Sequence, residues 1–478
     1  MRRLLGALAM CVGLSGCVFY LNPLCTDQIR NGEETDIDCG GSCGRCEVGG
    51  SCKSNADCED SDCQGGVCTA FPCFNGKIDG DETDIDCGGS SCRTCAGGRA
   101  CLADADCASG TCQAATKTCA GLALQFNDAK AIDAGAKPYA LFTVDLDGDG
   151  DLDVVSADEL DSQLVVLTND GLGGFANTAM FTTGEFPTGG EIGDFNSDGV
   201  PDVITADYHG DSVSVLANTA GTLAPHTSYA TVGDGETSNL AIGDLNGDGN
   251  LDVVATNQSK ASVSVFLGNG DGTLNPGVEL PVGITAASEP YSAAIADFDG
   301  DGKLDVAIGD SRSATIIVRI GNGDGTFGPE VAYPARGTPP LVVITADVNG
   351  DGRADLVCAN RGSDNVGVLL GRGDGTFRKA VLAPTGKGSG PYSVAVGDFN
   401  QDGVLDIVTG DYTPELAVGF EASVLLGIGN GNFEPPLQVQ GAPAYGVAVG
   451  DFNGDGKPDF AAANFSGHTV TIQLNTSQ

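Results

Sequence analysis

Asp145-Leu146-Asp147-Gly148-Asp149-Gly150-Asp151-Leu152-Asp153 sets acidic residues at alternate positions around two glycines. Six more copies of this nonapeptide begin at Asp194, Asp244, Asp297, Asp347, Asp398 and Asp451, at intervals of 49, 50, 53, 50, 51 and 53 residues. A fixed period of this length marks a repeat array that must be read as one fold. The first position is always Asp, and the third is Asp147, Asn196, Asn246, Asp299, Asn349, Asn400 or Asn453. The fifth is Asp149, Asp198, Asp248, Asp301, Asp351, Asp402 or Asp455, and the ninth is Asp153, Asp202, Asp252, Asp305, Asp355, Asp406 or Asp459. Glycine always holds the sixth place.

Ca²⁺ takes about six to eight oxygen ligands, and a short loop converges on it by turning alternate residues inward. Glycine at the sixth place permits the sharp bend. The seventh residue is expected to offer its backbone carbonyl, which leaves its side chain free to vary: Asp151, Val200, Asn250, Lys303, Arg353, Val404 and Lys457. The competing reading is an Asp/Asn-Gly turn closed by side-chain-to-backbone bonds without metal. Seven copies holding 23 mutually repelling aspartates at positions 1, 3, 5 and 9 favour the cation, about one Ca²⁺ per repeat. Such binding is expected to stabilise the fold.

The ninth residue runs directly into an apolar β-type stretch, so each loop joins two strands. Before it comes a run such as Tyr291 to Ala296; after it come segments such as Asp252 to Thr256 and Ser262 to Leu267, then a Gly-rich turn and an outer segment. Four short strands in about 50 residues describe a propeller blade. On these loops and strands, residues 122–478 resemble the FG-GAP/VCBS repeat family, as in the calcium-bearing propellers of integrin α-subunits. The resemblance implies an all-β, seven-bladed propeller over 120–478. The Phe-Gly and Gly-Ala-Pro signatures of that family are mostly degraded here, so integrin-like ligand binding is not carried over. The last copy stops near Leu474 without an outer segment, whereas Phe126 stands 19 residues before Asp145 with no earlier loop to serve. Residues 122–133 are therefore expected to supply the outer strand of the last blade and close the ring.

Thirteen residues after each loop start stands Asp158, Asp207, Asn257, Asp310, Asn360, Asp411 or Asn464. These form either a polar ring facing a partner or, the favoured reading, caps for the next turn. Arg372-Gly373-Asp374 lies where another copy reads Asn322-Gly323-Asp324, so the repeat explains all of it but the arginine. Cys358 follows Leu356-Val357 in a strand and reads as a buried thiol.

The N-terminal quarter differs. Two arginines precede an apolar run from Leu4 to Leu14, too short to span a bilayer but suited to export. Leu14-Ser15-Gly16-Cys17 resembles the bacterial lipobox, which implies a signal peptide over 1–16, a lipid on Cys17 and a tether over 17–24. Val18 resembles the outer-membrane default of Gram-negative sorting, which implies the outer membrane or cell surface. Sixteen cysteines then form two octets, in modules 25–72 and 73–119. The first octet is Cys25, Cys39, Cys43, Cys46, Cys52, Cys58, Cys63 and Cys68; the second is Cys73, Cys87, Cys92, Cys95, Cys101, Cys107, Cys112 and Cys119. The stretch from Glu34 to Gly41 recurs from Glu82 to Gly89 with a period of 48. Modules this small need cross-links, and an exported location with an even count favours disulfides over zinc at the two CxxC pairs. Eight cysteines allow on the order of a hundred pairings, so connectivity stays open. The modules resemble Cys-rich repeats placed ahead of surface domains in myxobacteria, which implies a stalk. Asp79, Asp81 and Asp84 read as a solvated acidic turn, and Ser42 in its GxSxG setting lacks the strand and helix of a nucleophile elbow.

Composition agrees with this plan. Glycine supplies 73 of 478 residues while 41% are hydrophobic, so short strands and tight turns should dominate. A net charge of −42 argues against nucleic acid and against electrostatic attachment to anionic lipid. His209, His226 and His468 are scattered in sequence, and no acid pair stands outside the repeats. The expected function is adhesion or binding of a protein or glycan ligand by a non-enzyme. The alternatives are a polysaccharide lyase or hydrolase, or a structural envelope protein.

Overall fold

The computed structural model describes residues 97–477 except 108, 110, 122–123, 128–129, 232–234, 284–287, 413–419 and 442–443, together with parts of 51–95. Cys17, Cys25, Cys39, Cys43, Cys46, Cys58, Cys73 and Cys92 lie outside the described residues, as do Ser42, Asp79 and Asp81. The chain divides into two compact units, one of residues 1–86 with Ser90–Cys92 and the other of Cys87–Gly89 with 93–478. In the first, Ser61–Gln64 pairs with Val67–Ala70 so that Cys63 stands opposite Cys68, and Cys52 is disulfide-bonded.

The second unit contains seven four-stranded antiparallel sheets, the blades of an all-β propeller. Blade 1 runs Pro138–Val144, Asp153–Asp158, Gln163–Asn169, Phe175–Thr182; blade 2 runs Pro187–Gly193, Asp202–Asp207, Ser212–Leu216, Thr227–Ala230. Blade 3 comprises Thr237–Gly243, Asp252–Asn257, Ser262–Phe266 and Val278–Pro281; blade 4 comprises Pro290–Ala296, Asp305–Asp310, Thr315–Gly321 and Phe327–Pro334. Blade 5 comprises Pro340–Ala346, Asp355–Asn360, Asn365–Leu369 and Val381–Pro384; blade 6 comprises Pro391–Gly397, Asp406–Asp411, Phe420–Leu425 and Leu437–Gln440. Blade 7 takes Val447–Gly450, Asp459–Asn464 and Thr469–Gln473 from the C-terminal end. The first strands of successive blades pack side by side, and that of blade 7 returns to that of blade 1.

In every blade all six residues of the second strand are buried. Covered on both faces by neighbouring blades, such a strand needs a continuous run of small and apolar residues rather than an alternating one. The core is accordingly divided among the seven junctions between blades. Ile204 and Val215 of blade 2, for example, pack with Val253 and Phe266 of blade 3, and Val154 and Val165 of blade 1 pack with Ala461 and Val470 of blade 7. Each blade alone would expose two apolar faces, so only the closed ring buries them.

The closure expected from sequence is present. Lys130–Asp133 pairs antiparallel with Thr469–Gln473 as the outer strand of blade 7. Upstream, the Asn127 N–H donates to the Leu474 carbonyl and the Thr476 N–H to the Gln125 carbonyl. Phe126 meets Phe460 and Phe399 edge-on at 5.1 and 6.0 Å, joining blades 6 and 7.

Disulfides join Cys87 to Cys95, Cys101 to Cys112 and Cys107 to Cys119. The CxxC spacing is therefore not used as a zinc knuckle at Cys95, whose partner lies eight residues upstream. Residues 93–119 belong to the propeller's own unit: the Gly97 N–H donates to Asp402 Oδ2 at 2.7 Å.

Deleting residues 120–134 should lower the melting temperature of the whole ring in one transition, and Phe126→Ala should cost about 2–3 kcal/mol by urea denaturation. Unchanged melting in both variants would rule out this closure.

Candidate functional site

All seven acidic loops connect the first and second strands of their blades, which puts them on one face of the propeller. Their ninth residues are its most constrained polar groups. Asp153, Asp202, Asp252, Asp305, Asp355, Asp406 and Asp459 are at most 1% exposed. One oxygen of each accepts the N–H of the loop's second residue; for Asp305 this is Phe298 at 2.7 Å. The other accepts an N–H at or just beyond the end of the third strand, from Asn169, Asn218, Gly268, Gly321, Gly371, Gly427 or Asn475. A carboxylate can satisfy two otherwise orphaned buried donors at once, which explains why the ninth place never varies.

The second residue of the loop went unnoticed in the sequence. Leu146, Phe195, Leu245, Phe298, Val348, Phe399 and Phe452 are all buried. Their carbonyls tie adjacent blades together in six of the seven loops. Where Asn follows the third strand, its side-chain amide reaches across: Asn218 to the Leu146 carbonyl at 2.8 Å, Asn475 to Phe399 at 2.7 Å and Asn169 to Phe452 at 2.8 Å. Elsewhere the Gly-rich hairpin donates from its backbone, Gly272 to Phe195, Gly325 to Leu245 and Gly375 to Phe298. Position 2 always being apolar was the available signal; its carbonyl partner lies about 75–80 residues away in four of these pairs, beyond any local pattern.

The remaining oxygens converge at the surface. Ligand atoms of Asp145, Asp147 and Asp149 lie within 4.8 Å of one another, as do those of Asp297, Asp299 and Asp305. The first Asp also accepts N–H groups of its own loop, as Asp145 does from Gly148 and Gly150, but each oxygen keeps a second lone pair. This set of hard oxygen donors with a free seventh carbonyl fits a divalent cation such as Ca²⁺. Burial pushes Asp153 and Asp459 up to about 6, Asp355 to about 7 and Asp406 to about 8, with neighbouring aspartates adding to the rise. In two loops a seventh-position lysine leans over the fifth-position carboxylate, Lys303 on Asp301 at 2.7 Å and Lys457 on Asp455 at 3.3 Å. The loop of blade 6 differs: its Asn400, Asp402 and Val404 are buried, with Gly97 of the Cys-rich segment bonded to Asp402.

The residues thirteen places into each repeat are all buried. Asp158 accepts the N–H groups of Ala136, Lys137, Leu160 and Asp161, Asp310 those of Glu289, Arg312 and Ser313, and Asn464 that of Gly467. Those three cap turns, whereas Asp207, Asn257, Asn360 and Asp411 bond neighbouring side chains, and no exposed ring forms. Asp374 of the Arg-Gly-Asp stretch accepts the Thr376 N–H in its hairpin, as Asp324 does for Thr326. Cys358 is fully buried, and its thiol is pushed up to about 12.

On the other face, at the start of the first strands, repeat symmetry fails. Tyr139, Tyr291, Tyr392 and Tyr445 occupy the place held by Thr188, Ser238 and Leu341 in the other blades. The hydroxyls of Tyr139, Tyr291 and Tyr392 bond one another around the channel axis. Beneath them lies a cavity of about 120 Å³ lined from all seven blades, and at the mouth one of about 320 Å³. Glu191 is the one charged residue in the seven first strands. Its carboxyl makes no hydrogen bond among the described residues, and although the residue reaches solvent, the protein enclosing it raises the carboxyl to about 7.

The family model of the FG-GAP-like repeat matches residues 145–205, 194–255, 244–308, 297–358 and 347–409, and that of the FG-GAP repeat matches 443–471. No curated protein matches the chain. Among solved structures, an Agrocybe aegerita lectin recognising non-reducing terminal N-acetylglucosamine is 24% identical over 69% of this chain and 86% of its own, with a TM-score of 0.47. BBS1N in complex with ARL6DN is 13% identical over 74% and 97%, at 0.50. A catalytically inactive virginiamycin B lyase from Staphylococcus aureus with quinupristin is 11% identical over 73% and 99%, at 0.48. These are likenesses of fold.

Two outcomes follow from the loop geometry. Asp305→Ala should cost about 2–4 kcal/mol with or without calcium, because it orphans the Phe298 and Gly321 N–H groups. Asp299→Ala should matter only in calcium; equal losses from both in calcium-free urea melts would overturn this division of labour.

A second test concerns pH. Asp207 and Asp411, buried beneath Thr and Ser hydroxyls, are pushed up by desolvation to about 6 and about 7. A carboxyl higher in the folded than in the unfolded chain contributes stability that is complete below ~4 and lost as pH rises through the folded value. Replacing both with Asn, the residue standing at that place in blades 3, 5 and 7, should shallow the fall in stability between about pH 4 and 7. An unaltered slope in calcium-free buffer would assign it to other groups.

Proposed function

Because the chain belongs to the FG-GAP-like repeat family, we propose that it is a calcium-binding propeller held on a lipid at Cys17 at the outer membrane or cell surface. There it acts in adhesion or in binding a protein or glycan ligand. Calcium in the seven loops neutralises carboxylates that the fold itself gathers; seven dications would offset 14 of the 42 net negative charges. Its role is to hold the loops, and through the second loop residue the junctions between blades, in one geometry. The disulfide-rich segment fits an export route and a stalk.

The observation that carries the binding role is the mouth cavity, where side chains that break repeat symmetry meet solvent. A polysaccharide-acting enzyme is a second reading, favoured by Glu191, a lone carboxyl on a first strand that is raised to about 7. It would need a second acid supplied from outside the first strands.

Arrays of glycans and of bacterial surface proteins, probed with the full chain in calcium and again in chelator, test the proposal. Calcium-dependent capture on either array is the expected result. Blank arrays in both buffers would leave a structural envelope role, and release of sugar fragments lost in Glu191→Gln would establish the enzyme.

A further inference from the structure

The mouth of the channel is built unlike the rest of the molecule. Tyr445 lies at the centre of an aromatic cluster, with ring centroids of Tyr412, Tyr392, Phe465 and Tyr139 at 4.1, 4.3, 4.5 and 4.9 Å. The last of these pairs is stacked. Below, the hydroxyls of Tyr139, Tyr291 and Tyr392 form a closed triangle. In such a triangle each O–H donates to a neighbour, so what remains free is acceptor lone pairs. Burial raises all three phenols, so they stay neutral.

Around this floor the walls are polar. Glu159, Tyr208 and Gln258 line the cavity of about 320 Å³, within the roughly 300–1,000 Å³ typical of small-molecule sites. Among the described residues neither the Glu159 carboxyl nor the Gln258 amide hydrogen-bonds another side chain. The cavity thus offers ring faces, acceptors on its floor and uncommitted polar groups on its wall.

The ligand's charge can be argued from what already touches the rings. Arg361 sits over Tyr392 and Tyr412 at 5.4 and 5.9 Å, and Lys137 over Phe465 at 4.5 Å. These cations take the positions a cationic ligand would seek and would repel it. The net charge of −42 opposes a polyanion. A neutral ring carrying both C–H faces and hydroxyl donors matches each surface: C–H faces on the aromatics, O–H donors to the tyrosine floor and Glu159, acceptors to Gln258.

We propose that the channel mouth is a binding site for a neutral pyranose, either a free sugar or the terminal residue of a glycan. The proposal rests on the ligand-binding reading above and narrows it to one site and one ligand class. The chain has no Trp, and six of its nine tyrosines belong to this cluster or its rim, so intrinsic emission reports on the site directly.

The test titrates the full chain in calcium with methyl glycosides of glucose, galactose, mannose and N-acetylglucosamine while following tyrosine fluorescence. At least one should give a saturable change with a Kd on the order of 1 mM, as expected of a shallow monosaccharide site. Gln258→Ala and Tyr208→Ala should each weaken it about tenfold with melting temperature in calcium unchanged. A glycan array separates the sources: enhanced binding to neutral oligosaccharides marks a glycan terminus, and binding of the methyl glycosides alone marks a free sugar. Saturation with undiminished affinity in both variants would overturn the site, and binding confined to sialylated or sulfated glycans would overturn the ligand class. If neither glycosides nor glycans bind while the protein array does, this inference falls and the ligand-binding reading stands; if nothing binds, both fall.

Discussion

A carboxylate with both oxygens committed to backbone N–H groups stands at the ninth position of every loop, and the propeller hangs on it. One bond fixes the start of the loop, and the other fixes the chain as it leaves the third strand. The loop's second residue is thereby held with its side chain in the core and its carbonyl aimed at the next blade. Burying that carboxylate has a cost, seen in values raised to between about 6 and 8 in four blades. A dication bound among the same mutually repelling carboxylates would lower that cost where it is greatest. Structural and ion-binding demands therefore coincide on one residue. The third and fifth positions bond mainly within their own loop, except Asp402, which also accepts the Gly97 N–H.

The bond between blades is made in two chemically different ways. Blades 1, 2 and 7 use an Asn side chain, whereas blades 3, 4 and 5 use a backbone N–H from the Gly-Asp-Gly hairpin. The choice is steric. At Gly268, Gly321 and Gly371 a Cβ would come within 2.2 Å of a carbonyl oxygen of the preceding loop, so no asparagine fits there, and in these blades the hairpin backbone donates. The two solutions occupy separate arcs of the ring, blades 7, 1 and 2 on one side and blades 3, 4 and 5 on the other. Closure by Lys130–Asp133 completes the same scheme: a ring left open at one junction exposes the two apolar blade faces that would meet there.

Much of this was legible in the sequence because it is local. The loop spacing, the four strands per repeat, the turn caps typified by Asp158 and the orphan Phe126 each declare themselves within one period. The disulfide pairing did not, since Cys95 joins Cys87 and bypasses the nearer CxxC partner. Nor did the position-2 carbonyl, the docking of Gly97 on Asp402 or the tyrosine triangle. Gly97 and Asp402 are 305 residues apart, and the triangle joins blades 1, 4 and 6. Such contacts exist only after the ring has closed, when residues with no common sequence pattern are brought to one axis.

The two faces of the propeller have been left to different pressures. On the loop face seven sites obey one rule, because each ninth-position carboxylate satisfies the same two buried donors; the blade 6 loop differs only in its added contact with Gly97 of the Cys-rich segment. On the opposite face no backbone requirement fixes the residue six places before each loop, and threonine, serine, leucine and tyrosine all occur there. A Thr in place of Tyr139 would satisfy the strand equally well, as Thr188 does in blade 2. The fold therefore does not account for four tyrosines meeting at the axis with three hydroxyls in contact. Burying three phenols together where smaller residues suffice has a desolvation cost that backbone geometry does not require. That is the reason to place recognition at the mouth and to leave stability to the loops.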